Sequence, residues 1–304
     1  MERIVAPRVS VVIPTFNRWP LVREAIDSVL AQSYRDFELI VIDDGSTDAT
    51  RAELAKIDSL TFFATPRRGV SASRNLGVNH ARGHYVAFLD SDDIWLSEKL
   101  AKQARFLEEH PEFHICQTEE IWVRNGVRVN PKAIHQKPSG DIFTRSLELC
   151  LVSPSAVMMT KALFDQTGGF DQSLPVCEDY DLWLRISVQQ QVPLLHDRLV
   201  IKRGGHADQL SRSMWGMDRY RILALQKLLK SGLDPSREAA VFNTLRHKAA
   251  IVAAGARKRG REQEAQILEI MVSELEQERL DGGKRNPGIR QTERISAADP
   301  RALA

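Results

Sequence analysis

The stretch YVAFLDSDD, residues 85–93, decides how the first half of the chain is interpreted. Its first five residues are apolar or aromatic, which is typical of a buried strand, and three aspartates follow around Ser91. Carboxylates this close together repel one another unless a positive charge lies between them. A hard divalent cation such as Mg²⁺ or Mn²⁺ would remove the repulsion, because it prefers carboxylate oxygen ligands. The stretch therefore predicts a strand that ends at an acidic, metal-binding loop.

The spacing of the aspartates makes the prediction more specific. Alternate side chains of an extended segment point the same way, so Asp90 and Asp92 are expected to converge on one ligand. The D-x-D pattern alone also suits a turn that caps the next helix, predicted at 98–110. A calcium-binding EF-hand loop is excluded, since no glycine stands at its sixth position.

The same alternation of strand and helix surrounds this stretch. Apolar runs predict strands, and amphipathic or capped segments predict helices between them. The predicted strands are residues 9–13, 37–42 and 60–64, and the predicted helices are residues 21–30, 47–57 and 71–81. Such alternation is typical of an α/β fold with a mostly parallel sheet flanked by helices. Ligands of these sheets bind beyond the carboxyl ends of the strands. Asp43 and Asp44, which follow the second strand, are therefore expected in the same crevice as Asp90.

The remaining segments suggest three parts. An Asn125-Gly126 pair predicts a hairpin, and a helix is expected to begin near Asp179. We interpret residues 1–213 as the α/β domain and 214–280 as an all-helical C-terminal extension. Residues 281–304 contain few apolar side chains, and we expect a disordered tail there.

Composition excludes several classes of protein. A formal net charge of +2 argues against a nucleic-acid partner, and three widely spaced cysteines argue against a disulfide framework or a zinc site. No apolar run reaches about 18 residues, and the N-terminal run is too short for a signal peptide. We expect a soluble, cytoplasmic protein. The basic run 257–261 is either a solvated face or a weak peripheral contact with anionic lipid at the inner face of the plasma membrane. The oligomeric state is not predicted.

The loop after the first strand, PTFNRW, excludes three other enzyme classes. A dinucleotide-binding fold requires a G-x-G-x-x-G loop at this point, and 14–19 contains no glycine. A haloacid-dehalogenase phosphatase would carry its nucleophilic aspartate there. A sugar nucleotidyltransferase would have a glycine-rich, basic loop.

Five segments, taken in order, resemble the family 2 glycosyltransferases of GT-A fold. They are VSVVIPTFNR, DDGSTD, SASRN, FLDSDD and GGFD…EDYDLWLR, and the resemblance covers residues 8–211. It implies a nucleotide-diphospho-sugar transferase fold and metal-assisted, inverting transfer of a sugar, with a UDP-sugar as the default donor. The acceptor would be a hydroxyl of a glycan, a lipid-linked sugar or another molecule.

The resemblance also assigns roles to individual residues. The residues implied in nucleotide binding are Pro14, Thr15, Asn17, Asp43, Asp44, Arg74 and Asp90. The metal ligands would be Asp92, with Asp90 and His206, and the metal Mg²⁺ or Mn²⁺. Asp179 matches the general base, and the adjacent Glu178 is a rival for that role. The alternative hypothesis is a non-catalytic nucleotide-sugar-binding or scaffolding protein on a degenerate transferase fold. The presence of both Asp92 and Asp179 argues against it.

Overall fold

The computed structural model describes residues 6–205 and 216–282. The chain divides into two compact units, Met1–Ser213 and Met214–Ala304.

The first half of the larger unit alternates strand and helix as predicted. Its elements are β1 (Val9–Thr15), α1 (Leu21–Leu30), β2 (Phe37–Asp43), α2 (Thr50–Leu54), β3 (Thr61–Ala64), α3 (Val70–His80) and β4 (Tyr85–Phe88). β1 lies between β2 and β4, β3 pairs with β2, and all three pairings are parallel. Every residue of β1 and β4 is buried, because helices cover both faces of this part of the sheet.

The second half completes a mixed sheet. Its elements are β5 (Ile94–Trp95), α4 (Lys99–Glu109), β6 (Ile115–Arg124), β7 (Val127–Val129), α5 (Phe143–Glu148), β8 (Val157–Thr160), α6 (Lys161–Thr167), α7 (Glu178–Ser187) and β9 (Leu194–Gly204). The strand order is β3-β2-β1-β4-β8-β6-β9-β5, with β7 paired to β6. Asn125 and Gly126 have φ values of 49° and 77°, so the predicted β6–β7 hairpin is confirmed. The predicted α/β fold class is confirmed as well.

The register brings several strand ends to one edge of the sheet. β8 is antiparallel to both β4 and β6, and β9 is parallel to β6, so β4, β6 and β9 run in the same direction. Gln117 of β6 pairs with Val157 of β8, level with the end of β4. The rest of β6 therefore extends past β4. Together with β9 it borders the crevice at the carboxyl ends of the strands.

Helix α3 lies unusually close to β1. A Cβ atom added at Gly77 would lie 2.3 Å from Cγ1 of Val12, so only glycine allows this approach. Val12 and Val78 belong to the apolar cluster on this face of the sheet, whereas Val11 and Ile13 pack on the opposite face. The close packing fixes the helix that carries Arg74.

The smaller unit is helical, as predicted. Its helices are Met217–Leu229, Pro235–Arg257 and Glu262–Gly282. Asp234 caps the second helix by accepting hydrogen bonds from the backbone N–H groups of Ser236 and Arg237. The third helix includes the first two residues of the expected tail, and residues 283–304 lie outside the described residues.

The basic run 257–261 is partly neutralised within this unit. The Arg257 guanidinium pairs with Glu269 at 2.7 Å and with Glu262 at 3.0 Å. Fewer free cations therefore remain for contact with anionic lipid. Among the helices described, none combines the length and the hydropathy needed to cross a bilayer.

Candidate active site

Arg74 joins two distant acidic segments. It projects from α3 and is only 3% exposed. Its Nη2 donates to Oδ1 of Asp90 and its Nη1 to Oε1 of Glu178, both at 2.7 Å. Burial opposes its charge, but the two carboxylates prevail and raise the pKa of Arg74. The guanidinium therefore stays protonated and holds the end of β4 against the start of α7.

Glu178 and Asp179 begin α7, as predicted, but their surroundings differ. Glu178 is buried against Arg74. Burial and the adjacent Asp179 raise the pKa of Glu178 to about 7, although Arg74 acts in the opposite direction. Asp179 is half-buried, and its Oδ1 accepts a hydrogen bond of 2.7 Å from the Tyr180 backbone N–H. Asp179 makes no ion pair within the described part of the chain, so of the two carboxylates it is the less engaged.

The three aspartates of the acidic loop have three different environments. Oδ2 of Asp92 accepts a hydrogen bond from Arg18 Nη1 at 2.7 Å, whereas Asp90 binds Arg74. Asp93 is buried and accepts hydrogen bonds from the Ser155 hydroxyl and a backbone N–H of β9. Because β4 ends at Phe88, these residues lie in a turn, and strand alternation does not direct Asp90 and Asp92 to a shared partner.

The oxygens of this loop suit a hard divalent cation. The side chains of Asp90 and Asp92 are 28% and 15% exposed, and in the described residues each has a second carboxylate oxygen without a hydrogen bond. No cluster of three His, Cys, Asp or Glu side chains forms a metal site in residues 6–205 and 216–282. Mg²⁺ held by one or two carboxylates completes its shell with water and phosphate oxygens, so the two residues fit such an ion. His206 lies outside the described residues.

Two predicted nucleotide-binding residues hold neighbouring loops together. Asn17 has a φ of 47°, and its Oδ1 accepts a hydrogen bond of 2.7 Å from the Thr47 backbone N–H. The carboxylate of Asp44 accepts hydrogen bonds from the backbone N–H groups of Arg68, at 2.7 Å, and Gly69, at 2.8 Å. The structure thus gives both side chains a positioning role in the loops that follow β1, β2 and β3.

Pro14, Thr15 and Asp43 are buried where β1 and β2 end. The Thr15 carbonyl accepts a hydrogen bond from the backbone of Asp44, and Oδ1 of Asp43 accepts one from Ser46 N–H at 3.0 Å. These residues connect the two strand ends beneath the loops. They give the crevice its shape.

Sequence reasoning missed two basic residues at the crevice. They are Arg18, in the loop after β1, and Lys202 of β9. Lys202 is half-buried; burial opposes its charge, but Glu120, Asp93 and Asp90 raise its pKa. No sequence pattern indicates that Lys202 is half-buried, because a lysine next to an arginine near a strand end is usually solvated.

Comparison with known proteins identifies the family. The family model described as Glycosyl transferase family 2 matches residues 10–166. An uncharacterized glycosyltransferase of Rickettsia typhi is 30% identical over 238 residues, covering 75% of each chain. Uncharacterized glycosyltransferases of Rickettsia felis and Rickettsia conorii are longer, and the match covers 31% of each. The Escherichia coli protein WfaP, a UDP-Glc:alpha-D-GlcNAc-diphosphoundecaprenol beta-1,3-glucosyltransferase, is 32% identical over 59% of this chain and 69% of its own.

Solved structures support the same fold. S. aureus TarS 1-349 in complex with UDP-GlcNAc superposes with a TM-score of 0.65 at 23% identity, over 79% of this chain and 71% of that one. The mannosyltransferase PcManGT from Pyrobaculum calidifontis, in complex with GDP-Man and Mn²⁺, gives a TM-score of 0.59 at 20% identity, over 89% and 81%. At these identities the likeness concerns the fold alone. The family match and the Rickettsia typhi relative establish that the chain belongs to the family 2 glycosyltransferases.

Proposed function

We propose that this glycosyltransferase moves a sugar from a nucleotide-diphospho-sugar, with UDP as the default nucleotide, to an acceptor hydroxyl with inversion at the anomeric carbon. The observation that carries the proposal is the Arg74 bridge between Asp90 and Glu178. It sets the acidic loop, where the diphosphate would bind, beside the start of α7, where a general base would stand. Both lie beyond the carboxyl ends of the strands, where ligands bind in open α/β sheets.

Asp179 is the proposed general base. As the acceptor oxygen forms its bond to the anomeric carbon, the bond from that carbon to the diphosphate breaks, and the hydroxyl proton passes to the Asp179 carboxylate. A positioned base contributes roughly 10²–10⁴-fold to the rate. Asp179 lies in the first turn of α7, and among the described residues it forms no ion pair that would compete for its oxygens.

The departing diphosphate carries additional negative charge, which the chain would stabilise through fixed cations. Arg74 remains charged and immobile between its two carboxylates, and Arg18 lies 2.7 Å from Asp92. A divalent metal held by Asp92 and Asp90 would supply Lewis-acid stabilisation of the leaving group. His206 remains a proposed third ligand. Among the predicted nucleotide residues, Asn17 and Asp44 would act by holding the loops that form the nucleotide site.

The proposed acceptor is a glycan or a lipid-linked sugar. WfaP is named for transfer to a diphosphoundecaprenol-linked sugar, and this supports a lipid-linked acceptor here. Such an acceptor would place the reaction at the inner face of the plasma membrane, with the protein in the cytoplasm and peripherally associated.

Metal-dependent donor binding tests the proposal. We would screen UDP- and GDP-sugars by thermal shift with and without Mn²⁺, because a ligand that binds only the folded state raises its melting temperature. The expected result is Mn²⁺-dependent stabilisation by one nucleotide sugar, followed by its slow hydrolysis. Asp92→Ala should abolish the metal-dependent part, whereas Asp58→Ala, an exposed control, should retain it.

Two results would contradict this proposal. Mn²⁺-dependent binding that persists in Asp92→Ala would remove that residue from the metal site. Binding without any hydrolysis or transfer would favour the alternative of a non-catalytic nucleotide-sugar-binding protein.

A further inference from the structure

A cavity of about 400 Å³ lies beside the proposed donor crevice, within the same unit. It is half-open and is lined by the second half of β6, the segment 131–137 and the first half of β9. Its walls include Glu119, Glu120, Trp122, His135, Lys137 and Arg198. The volume falls in the range of roughly 300–1,000 Å³ that small-molecule sites occupy. None of these residues is used in the proposed chemistry.

The indole of Trp122 is held in a fixed orientation on the cavity wall. Its Nε1 donates to Oε2 of Glu120 at 2.9 Å, and the buried Lys137 donates to Oε1 of the same carboxylate at 3.0 Å. The ring of His135 lies 5.3 Å from the indole, measured between ring centroids. The Arg124 guanidinium also lies over the indole, 5.9 Å from its centroid. The part of this half-buried ring that Arg124 and His135 leave uncovered offers a flat apolar surface at little cost in side-chain entropy. This is the surface that the apolar face of a pyranose ring can cover.

The rim of the cavity has charges without partners. Lys132 and Arg198 are exposed and form no ion pair in the described portion of the chain. Glu119, which is half-buried, likewise has no hydrogen bond there. Glu119 stands opposite Arg198 in the β6–β9 register, so the two cations exceed the one unpaired carboxylate of the rim by a single charge. This excess favours an anionic group on the ligand, because a charge-assisted hydrogen bond is about twice as strong as a neutral one. Glu119 can accept hydrogen bonds from sugar hydroxyls.

The cavity is next to the acidic loop. Trp122 pairs with Lys202 in the register of β6 and β9, and the following residue, Arg203, donates its backbone N–H to Asp93 at 2.9 Å. The strand that lines the cavity therefore also contacts the loop that contains Asp92. Lys202, the register partner of Trp122, is close enough to Glu120 of the cavity wall and to Asp90 of the acidic loop that both raise its pKa, so the cavity and the loop are neighbours.

We propose that this cavity is the acceptor subsite, and that it binds a sugar residue bearing a phosphate or a carboxylate against Trp122, with Arg198 and Lys132 facing the anion. The inference rests on the proposed function, because an acceptor exists only if the protein transfers a sugar. It adds the class of acceptor, namely an acidic or phosphorylated glycan.

The test uses the full-length protein saturated with UDP and Mn²⁺, so that the donor crevice is filled. Saturation-transfer NMR would measure binding of glucose 1-phosphate, methyl glucuronide and the uncharged methyl glucoside. We expect both anionic probes to bind more tightly than the uncharged one, by about tenfold, equivalent to about 1.4 kcal/mol. Trp122→Leu should lose most of the binding of both anionic probes, and Arg198→Gln should reduce it to the level of the uncharged probe.

Controls separate this inference from the proposed function. Arg105→Gln removes an exposed arginine of α4, outside the cavity, and should leave probe binding unchanged. Trp122→Phe keeps an aromatic ring and should retain part of the binding even if Trp122→Leu is unstable. Unchanged probe binding in Trp122→Leu or Arg198→Gln, or equal binding of all three probes, would overturn the inference. In that case the proposed function would still stand if Mn²⁺-dependent UDP binding and donor hydrolysis persisted. Their absence would instead overturn the proposed function.

Discussion

Arg74 and Lys99 are both basic side chains buried in the larger unit, but their surroundings are opposite. Arg74 donates to two carboxylates at the crevice. Lys99 is 0% exposed, and its ammonium lies 3.9 Å from the centre of the Trp95 ring. Within the described ranges, this ammonium donates to a single group, the neutral side chain of Gln103, at 2.6 Å. The carboxylates raise the pKa of Arg74, whereas burial lowers the pKa of Lys99 to about 7.

The opposite pKa shifts mean that the fold favours the charged form of Arg74 and disfavours the charged form of Lys99. A buried cation retains its proton only if nearby anions compensate for the free-energy cost of its desolvation. At the crevice, Asp90 and Glu178 provide this compensation for Arg74. In the core beneath α4, no carboxylate of the described residues provides it for Lys99. The buried cation relevant to chemistry is thus Arg74, and the substitutions below test whether the two sites respond in opposite directions.

Removing the crevice cation should have the largest effect. Arg74→Met leaves Asp90 without its counter-charge and removes the cation that lowers the pKa of Glu178, so Glu178, whose pKa is about 7 even beside Arg74, becomes protonated at pH 7. With one carboxylate left unpaired, the expected cost is at the low end of the range of about 3–5 kcal/mol for breaking one side of a buried ion pair. We expect this loss in the free energy of unfolding, measured by urea denaturation at pH 7, together with loss of donor turnover.

Arg74→Lys provides the matched control, since one ammonium cannot bridge both carboxylates in the fork geometry of a guanidinium. It should lose less stability than Arg74→Met. A loss below about 1 kcal/mol in Arg74→Met would show that the Arg74 bridge between Asp90 and Glu178 is not needed for folding.

Much of the first half of the fold was predictable from sequence. Continuous apolar runs identified β1, β2 and β4, because strands covered on both faces need apolar side chains throughout. The β6–β7 hairpin was equally predictable from its Asn-Gly pair, and the start of α7 from its acidic residues. Sequence patterns predicted these elements because their conformation depends mainly on residues that are close together in the sequence.

The pairing of side chains was not predictable in the same way. Asn17 and Asp44 are predicted to bind the nucleotide, and no local pattern indicated that their oxygens also accept hydrogen bonds from the backbone of adjacent loops. Lys99 begins an amphipathic helix, where a lysine is normally exposed, and only the packing of α4 on the sheet buries it. The β6–β9 register shifts at Glu119 and Glu120, so strand alternation could not indicate which side chains line the cavity. Each case depends on contacts between distant segments.

Within the crevice, the two carboxylates that begin α7 should also respond differently. Asp179→Asn removes the proposed base but no ion pair, so we expect turnover to fall by roughly 10²–10⁴-fold with little change in stability. Glu178→Gln removes a partner of Arg74 and should lower the free energy of unfolding by about 1–3 kcal/mol. Donor hydrolysis rates and urea denaturation curves, measured on both variants, distinguish the two effects. Undiminished turnover in Asp179→Asn would transfer the role of base to Glu178.

The smallest expected effect concerns the core lysine, and its sign is opposite to that of Arg74→Met. The pKa of Lys99 is about 7 in the folded protein and 10.5 for an unperturbed lysine, so between these values the unfolded state binds more protons. The contribution of Lys99 to stability therefore rises with pH across this window, by at most about 1.4 kcal/mol per pH unit, and below pH 7 its penalty is complete. Lys99→Met removes the titrating group at the cost of one hydrogen bond to Gln103, and we expect a net gain of about 1–2 kcal/mol at pH 7.

Urea denaturation between pH 7 and pH 9 would follow the stability difference between Lys99→Met and wild type, which should shrink as the pH rises. Lys102→Met is the control: this lysine of the same helix is half-buried and pairs with Glu98 and Asp197 at the surface. Its loss should change stability by no more than about 1 kcal/mol, without that pH dependence. A constant difference for Lys99→Met would mean that the ammonium remains protonated in the fold. The Trp95 ring, 3.9 Å away, would then be sufficient to stabilise a buried cation without any carboxylate, and the contrast with Arg74 would not hold.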